Sequence, residues 1–192
     1  MAWTKKILRV NLTDGTATPE PLNMAWASEY LGQRGLATRY LVEEVDPACD
    51  ALGPDNKLIM ATGPLTGTTA STGGRYSGIT KSPLTGAVAC SNSGGFIGAE
   101  MTNAGWDRII FEGTAPSPVY LYVENEHAEL LPADDLWGQS VWAADEMIHK
   151  KHQDPQIRIA AVGRSAEAGC LYACIINDLH RAAGRSGVGT VM

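Results

Sequence analysis

ATGPLTGTTASTGGRYSGITKSPLTGAVACSNSGGFIG, residues 61–98, is the most informative stretch of this 192-residue sequence. Glycine, serine and threonine dominate it, Arg75 lies near its centre, and a helical pattern begins at Phe96. Glycines let the backbone approach a ligand closely, and free N–H groups at the start of a helix attract anions. Arginine adds a bidentate donor for phosphate. The stretch therefore indicates a loop-built site for an anionic ligand.

A second stretch of the same character, HRAAGRSGVG, occupies residues 180–189. It contains Arg181 and Arg185, and neither stretch contains an aspartate or a glutamate. Two such elements about a hundred residues apart in the sequence indicate a ligand with more than one phosphate, bound from two sides. The alternative is that both stretches are glycine-rich turns of a β-rich protein.

Composition limits the classes of protein that need to be considered. The chain is 44% hydrophobic and 19% charged, which favours a packed core in one domain or two fused lobes over disorder. The net charge of −6 argues against a nucleic-acid partner. No apolar run is long enough to span a membrane, and the N-terminus does not resemble a signal peptide. We therefore predict a cytoplasmic protein with no membrane partner.

The four cysteines, Cys49, Cys90, Cys170 and Cys174, do not form a recognisable metal motif. Cys170 and Cys174 lie close together, but a zinc or cluster site needs two further soft ligands nearby. We interpret all four as small buried residues.

Hydrophobic periodicity predicts an α+β fold with many short strands and a few short helices. A strand at 6–12 and a strand at 17–22 flank Asp14-Gly15, a signal for a tight hairpin turn. Ser140 is a candidate cap for a helix that runs to about His152. The other predicted helices are 24–31, 36–45 and 96–104. The other predicted strands are 57–61, 77–80, 87–90, 108–112, 118–123, 128–131, 157–162 and 169–176.

Two further patterns resemble motifs. Gly63-Pro64-Leu65-Thr66-Gly67 is echoed by Ser82-Pro83-Leu84-Thr85-Gly86, which indicates either duplicated turns or two similar lobes that each present one turn. Residues 184–189 spell GRSGVG, but no helix is predicted to follow them, so a dinucleotide fingerprint is disfavoured. The sequence also contains no P-loop.

Eight short segments together carry a family resemblance. In this order they resemble the N-terminal cofactor-binding domain of the aldehyde:ferredoxin oxidoreductase family, whose members are tungsten (sometimes molybdenum) pterin enzymes. The segments are ILRVNL at 7–12, YLGQRGLA at 30–37, ATGPLTG at 61–67, GGRY at 73–76, TKSPLTG at 80–86, AE at 99–100, AGWD at 104–107 and NDLHRAAGR at 177–185. The resemblance covers nearly the whole chain.

The resemblance implies a fold and a set of cofactor-binding residues. Two β-sheets would form a base for a tungsten or molybdenum bis-pyranopterin. Arg75 would contact the pterin and lie toward a [4Fe–4S] cluster. Asn92 and the backbone carbonyl of Ala182 would ligate a Mg²⁺ ion that bridges the two pterin phosphates, as suits a cation that prefers oxygen ligands. The residues lining those phosphates would be Gly94, Arg181, Gly184 and Arg185.

The resemblance also implies a function that this chain does not carry alone. The cluster-binding cysteines and the acid/base residues of the family lie downstream of residue 192, so no catalytic residue is assigned here. We expect residues 1–192 to be the N-terminal tungstopterin-binding domain of a longer chain, which is a homo-oligomer when intact. That enzyme would oxidise small aldehydes to carboxylates, with ferredoxin or an iron–sulfur partner subunit as the electron acceptor. The alternatives are a relative that reduces an aromatic-ring thioester, and a stand-alone pterin-binding module without turnover.

Overall fold

The computed structural model describes residues 3–192. Its first element is a hairpin of β1 (Lys6–Asn11) and β2 (Thr16–Pro21), paired antiparallel as predicted. The side-chain oxygen of Asn11 accepts hydrogen bonds from the backbone N–H groups of Thr13 and Asp14, both at 3.0 Å. Gly15 completes the turn with a φ of +67°, a conformation that glycine adopts at little cost. The local sequence therefore explains this turn.

A six-stranded mixed sheet forms the centre of the molecule. Its strand order is β2-β1-β6-β3-β4-β5, and β1 and β6 are parallel. The remaining four strands are β3 (Lys57–Ala61), β4 (Tyr76–Lys81), β5 (Val88–Ser93) and β6 (Arg108–Glu112). Strand β5 is one edge of this sheet, and it carries Asn92.

Both faces of the central sheet are buried because its strands alternate apolar side chains toward each face. On one face Ile59 and Ile110 pack against Leu36 and Tyr40 of helix α2 (Gln33–Glu44). Helix α1 (Met24–Tyr30) precedes α2 and is capped by Asn23, whose side chain accepts a hydrogen bond from Trp26 N at 3.1 Å.

The opposite face packs against the second half of the chain. Met60 and Ile109 contact Met101 of α3 (Ile97–Asn103) and Val188 of α6 (Val188–Val191) within one cluster. A two-stranded hairpin, β7 (Val119–Glu124) and β8 (His127–Pro132), also covers this face. It is followed by α4 (Val141–His152), which Ser140 caps as predicted, and by the short α5 (Arg164–Glu167).

A three-stranded sheet completes the fold in the order β11-β10-β9. Its strands are β9 (Ala160–Ala161), β10 (Ile175–Asn177) and β11 (Arg181–Ala183). The α+β class is therefore confirmed, but the expectation of two sheets is wrong, because residues 3–192 form sheets of six, three and two strands.

Three local predictions near the C-terminus are also wrong. Of the strand predicted at 157–162 only Ala160–Ala161 pairs, and most of 169–176 is turn, with pairing from Ile175 onward. A helix, α6, does begin inside the 184–189 stretch, although it has only four residues. Tertiary packing overrides the apolar pattern here, since Gly189 N donates to Ala173 O at 3.1 Å and holds 170–174 as a turn.

A charged cluster ties α2 to the central sheet. Arg9 Nη1 lies 2.8 Å from Glu44 Oε2, and Lys57 Nζ lies 2.9 Å from the same oxygen and 2.6 Å from Glu112 Oε2. Burial opposes ionisation of Glu44, but the hydrogen bonds from Arg9 and Lys57 outweigh it and lower the pKa of this carboxyl. The cluster borders an open depression of about 780 Å³ that does not include the glycine-rich segments.

The described residues bear on two predictions, one about the burial of the cysteines and one about membrane-spanning helices. All four cysteines are free, and each is partly rather than fully buried, so the expectation of buried residues is only partly met. Within residues 3–192, no helix is long and apolar enough to cross a membrane.

Candidate cofactor site

Arg75 and Asn92 lie next to each other at the open edge of the central sheet. Arg75 immediately precedes β4, and Asn92 lies on β5 opposite Ser77. Arg75 Nε donates to the side-chain oxygen of Asn92 at 3.1 Å, and both residues are exposed. The backbone carbonyl of Arg75 accepts a hydrogen bond from Gln33 Nε2 at 2.8 Å, which anchors the start of the strand while its side chain remains at the surface.

The glycines around Arg75 and after β5 allow two backbone segments to touch. A Cβ on Gly74 would lie 2.9 Å from the carbonyl oxygen of Gly95, and a Cβ on Gly98 would lie 2.9 Å from that of Gly74. Gly94 faces a more open space, where a Cβ would lie 3.6 Å from Arg75 Nη1. Residues 73–75 and 94–98 therefore form one glycine-built surface beside the Arg75 guanidinium.

The hairpin of β10 and β11 packs against this surface through side-chain hydrogen bonds. Asn177 Nδ2 donates to Gly94 O at 2.8 Å, and Phe96 N donates to Asp178 Oδ2 at 2.8 Å. Asn177 pairs with Arg181 in the hairpin register. The segment that carries Arg181 is thus fastened directly to the segment that carries Gly94.

The residues after β11 contact the other part of β5. Ser91 Oγ donates to Gly184 O at 3.1 Å, and Ser82 Oγ donates to Ser186 O at 2.8 Å. A Cβ on Gly184 would meet nothing within 4 Å, so its backbone is open to a ligand. Ser186 Oγ is buried and has no hydrogen-bond partner among the described residues.

The two echoed turns support opposite ends of this arrangement. Thr66, in the first turn, donates its hydroxyl to Arg75 O at 3.4 Å, whereas Ser82 and Pro83, in the second turn, contact Ser186 and Gly187. Both turns belong to the central sheet, one after β3 and one after β4. They are therefore duplicated turns of one sheet and not the marks of two lobes.

Several guanidinium groups near these segments are unneutralised. Arg181 and Arg185 are exposed, and across residues 3–192 their side chains make no hydrogen bond or ion pair with the protein. Arg158 is also exposed and stacks on the ring of Phe96, with its Cζ 4.5 Å from the ring centroid. In a chain with net charge −6, this local excess of positive charge favours an anionic ligand.

The structure thus brings the predicted residues together in two contacting groups. Arg75, Asn92 and Gly94 form the first group, and the hydrogen bonds of Asn177, Asp178 and Ser91 fasten it to the second. The second group consists of Arg181, Ala182, Gly184 and Arg185. Ala182 lies on β11 and is exposed, and its joint ligation of Mg²⁺ with Asn92 stays a prediction.

Sequence reasoning did not assign a role to the residues that join the two groups. Tyr76 is fully buried and donates to Asn177 Oδ1 at 3.4 Å. Burial, with the nearby Asp178 carboxylate and Cys174, raises the pKa of Tyr76, so its hydroxyl stays protonated as a donor. Two signals pointed to Asn177 and Asp178, namely their position beside the second arginine stretch and their place in the segment at 177–185 that carries the family resemblance.

The donor groups present suit a phosphorylated ligand better than a metal held by protein side chains. Within residues 3–192, no cluster of three or more His, Cys, Asp or Glu side chains is arranged to hold a metal ion. Open glycine backbone, unneutralised arginines and the orphaned Ser186 hydroxyl instead match phosphate oxygens. Asn92 and the Ala182 carbonyl offer neutral oxygens, which hold Mg²⁺ only when phosphates share its coordination.

Residues 7–192 match the protein family described as "Aldehyde ferredoxin oxidoreductase, N-terminal domain". The tungsten-containing aldehyde ferredoxin oxidoreductase of Pyrococcus abyssi is 51% identical over 187 residues, which are 97% of this chain and 31% of that protein. The enzyme of the same name from Pyrococcus furiosus is 48% identical over the same shares. The chain therefore spans about a third of the length of these relatives.

A solved structure is also similar over the whole chain. It is the active-site complex BamBC of benzoyl coenzyme A reductase with 1,5-dienoyl-CoA, at 36% sequence identity and a TM-score of 0.97. The match covers 100% of this chain and 29% of that one. The chain is thus similar to proteins named for two different reactions.

Proposed function

This chain belongs to the family of aldehyde ferredoxin oxidoreductase N-terminal domains, and from that membership we propose that it is the pterin-binding part of an enzyme that oxidises aldehydes to carboxylates. The chain would be the N-terminal domain of a longer, cytoplasmic, homo-oligomeric protein. An aldehyde and water would yield a carboxylic acid, two protons and two electrons, and ferredoxin or an iron–sulfur partner subunit would accept the electrons.

The observation that carries this proposal is the convergence of the two glycine- and arginine-containing segments. The hydrogen bonds from Asn177 Nδ2 to Gly94 O and from Ser91 Oγ to Gly184 O join segments about ninety residues apart. Each segment presents exposed arginine and open glycine backbone, which suits a ligand with two phosphate groups.

The residues present fit a tungsten or molybdenum bis-pyranopterin. When bound, that cofactor would supply the two-electron redox chemistry, and the protein would supply binding, orientation and charge compensation. Arg75 would contact the pterin, and Asn92 with the Ala182 carbonyl would complete the coordination of a Mg²⁺ ion between the phosphates. The phosphates themselves would lie against Gly94, Arg181, Gly184 and Arg185. A [4Fe–4S] cluster would be held by residues outside this chain.

A second reaction class is supported by a specific observation, the TM-score of 0.97 to the benzoyl coenzyme A reductase complex. A relative that reduces an aromatic-ring thioester would use the same pterin-binding half. The higher identity to the tungsten-containing aldehyde enzymes, 51% against 36%, favours aldehyde oxidation.

The test uses the intact protein that contains this chain, purified without oxygen. We expect about one tungsten per chain, two pterins per tungsten, and aldehyde-dependent reduction of ferredoxin. Reduction of benzoyl-CoA without aldehyde oxidation would select the second reaction, and cofactor without either activity would select the stand-alone binding module. Absence of both tungsten and pterin from well-folded protein would overturn the proposal.

A further inference from the structure

The β10–β11 hairpin contacts the glycine loop after β5 through the Asp178 carboxylate and the Asn177 amide. Asp178 Oδ2 accepts hydrogen bonds from Phe96 N at 2.8 Å and from Asn177 Nδ2 at 2.7 Å. The same Asn177 amide also donates to Gly94 O at 2.8 Å. We call these five residues, Gly94, Gly95, Phe96, Asn177 and Asp178, the carboxylate clamp.

The backbone of the clamp is held in conformations that side chains disfavour. Asp178 and Leu179 have φ values of +47° and +60°, and Gly95 has a φ of +93°. A Cβ on Gly95 would lie only 2.1 Å from Asp178 Oδ2, so the carboxylate occupies the space that a side chain would need. Strained backbone of this kind persists where the surrounding contacts over-determine it, and it concentrates at functional sites.

The other oxygen of the same carboxylate is unsatisfied. Asp178 Oδ1 is buried and has no hydrogen-bond partner among the described residues. A buried carboxylate oxygen without a donor is costly. The free oxygen indicates a donor that arrives with a ligand.

We propose that Asp178 is a positioning residue of the cofactor site, whose Oδ2 holds the Gly94–Phe96 loop against the Arg181 hairpin and whose Oδ1 accepts a hydrogen bond from the bound cofactor. The inference rests on the proposed function, since it concerns the same ligand. The donor is an N–H or O–H group, which either the pterin ring or the water shell of its Mg²⁺ ion carries. Asp178 thereby keeps the two glycine- and arginine-containing segments in fixed register.

The chain offers a matched control for the structural part of this role. Asp107 is also a buried aspartate that accepts two backbone hydrogen bonds, from Thr4 N at 3.0 Å and Lys5 N at 2.8 Å. It fastens the N-terminal segment to β6 and makes no contact with the clamp. Replacing it removes a similar set of bonds away from the candidate site.

The experiment compares Asp178→Ala, Asp178→Asn and Asp107→Ala in the intact protein. Thermal midpoint and tungsten and pterin content are measured for each, and Mg²⁺ with inorganic pyrophosphate is titrated into cofactor-depleted samples. We expect both alanine variants to lower the midpoint, and only Asp178→Ala to lower cofactor content by about tenfold, the scale of one hydrogen bond to a charged group. Asp178→Asn should fold like the wild type yet retain less cofactor, because an amide cannot both satisfy Phe96 N and accept at the second position.

The outcomes distinguish a failure of the role proposed for Asp178 from a failure of the proposed function. If Asp178→Asn weakens Mg²⁺–pyrophosphate binding, the donor is water on the metal; if only cofactor content falls, the donor is the pterin. Cofactor content in Asp178→Ala equal to that in Asp107→Ala would overturn the positioning role, and wild-type content in Asp178→Asn would overturn the role of Oδ1. A wild-type protein that lacks tungsten and pterin would instead refute the proposed function, and this inference with it.

Discussion

Asn92 is the residue whose side chain most directly tests the candidate site. It lies exposed on edge strand β5, and its side-chain oxygen accepts a hydrogen bond from Arg75 Nε. It lies within β5 and makes no hydrogen bond to its own backbone among the described residues, so its side chain does not form a turn. A substitution there should leave the fold intact.

We predict that Asn92→Leu in the intact protein keeps the fold and loses tungsten. The change deletes a neutral oxygen ligand at nearly constant volume, and Mg²⁺ between the phosphates then has one ligand fewer. Asn103→Leu, an exposed asparagine at the end of α3, serves as the control and should keep full tungsten content. Metal analysis measures the tungsten content of both variants. A wild-type tungsten content in Asn92→Leu would show that cofactor binding does not depend on Asn92.

At the scale of elements, the loop between β5 and α3 needs a glycine at position 95 for two reasons. The backbone there has a positive φ, and the Asp178 carboxylate lies where a side chain would be. Gly95 and Gly105 have nearly equal φ values, +93° and +96°. They differ in surroundings, because a Cβ on Gly105 would meet nothing within 4 Å, whereas one on Gly95 would collide with Asp178. The pair therefore separates conformational strain from steric exclusion.

We predict that Gly105→Ala lowers the free energy of unfolding by about 1–2 kcal/mol, the cost of a positive φ for a side-chain-bearing residue. Gly95→Ala should cost roughly 1–3 kcal/mol more, the range for forcing extra atoms into a packed place. Urea denaturation of the two variants measures the difference. Equal costs would mean that the Asp178 contact with this loop is loose.

The charged cluster between α2 and the central sheet makes stability depend on pH. The pKa of Glu44 is lowered in the folded state from its ordinary value of 4.5, so the stabilisation is present above that pH and is lost as pH falls below it. We predict that Glu44→Gln destabilises the protein by about 1–2 kcal/mol at neutral pH, because the hydrogen bonds from Arg9 and Lys57 then have a neutral amide oxygen as acceptor instead of a carboxylate.

The difference between Glu44→Gln and the wild type should begin to shrink as the pH falls below 4.5, where the carboxyl of the unfolded chain takes up a proton, and should be lost once the folded carboxyl, whose pKa is lower, is neutral as well. Glu43→Gln on the same helix is the control, since its pair with Arg39 is half-exposed and contributes less than about 1 kcal/mol. Thermal melts across the pH range measure both variants. A pH-independent cost for Glu44→Gln would show that packing, and not charge, explains its effect.

At the scale of the whole molecule, residues 3–192 combine exposed arginines with open glycine backbone, which suits an anionic ligand. Within residues 3–192 no metal-holding cluster of His, Cys, Asp or Glu side chains is present, and the cysteines are free. Relatives named as tungsten-containing aldehyde ferredoxin oxidoreductases are about three times as long.

We predict that the 192-residue chain, supplied with cofactor, does not oxidise acetaldehyde or benzaldehyde. The reason is that the iron–sulfur cluster, which would carry electrons to the acceptor, would be held by residues outside this chain. Dye reduction after reconstitution is the measurement, with the intact protein as the positive control. Turnover comparable to that of the intact protein would contradict the idea that this segment is incomplete for catalysis.

Local chemistry was sufficient to predict many elements of this molecule from sequence. The β1–β2 turn follows from Asn11, Asp14 and Gly15, and the start of α4 follows from the Ser140 cap, because the bonds that form them join residues within a few positions. The glycine-rich stretches and their arginines were likewise visible, since an excess of small residues without acids is a property of composition.

Tertiary structure alone decided the third sheet, the turn at 170–174 and the carboxylate clamp. The bond from Phe96 N to Asp178 joins residues 82 positions apart, and the bond from Ser91 to Gly184 joins residues 93 apart. No local pattern encodes such a contact, because it depends on how the β10–β11 hairpin packs over the edge of the central sheet. Periodicity shows which side of an element is apolar. Only packing determines which distant polar group that element contacts.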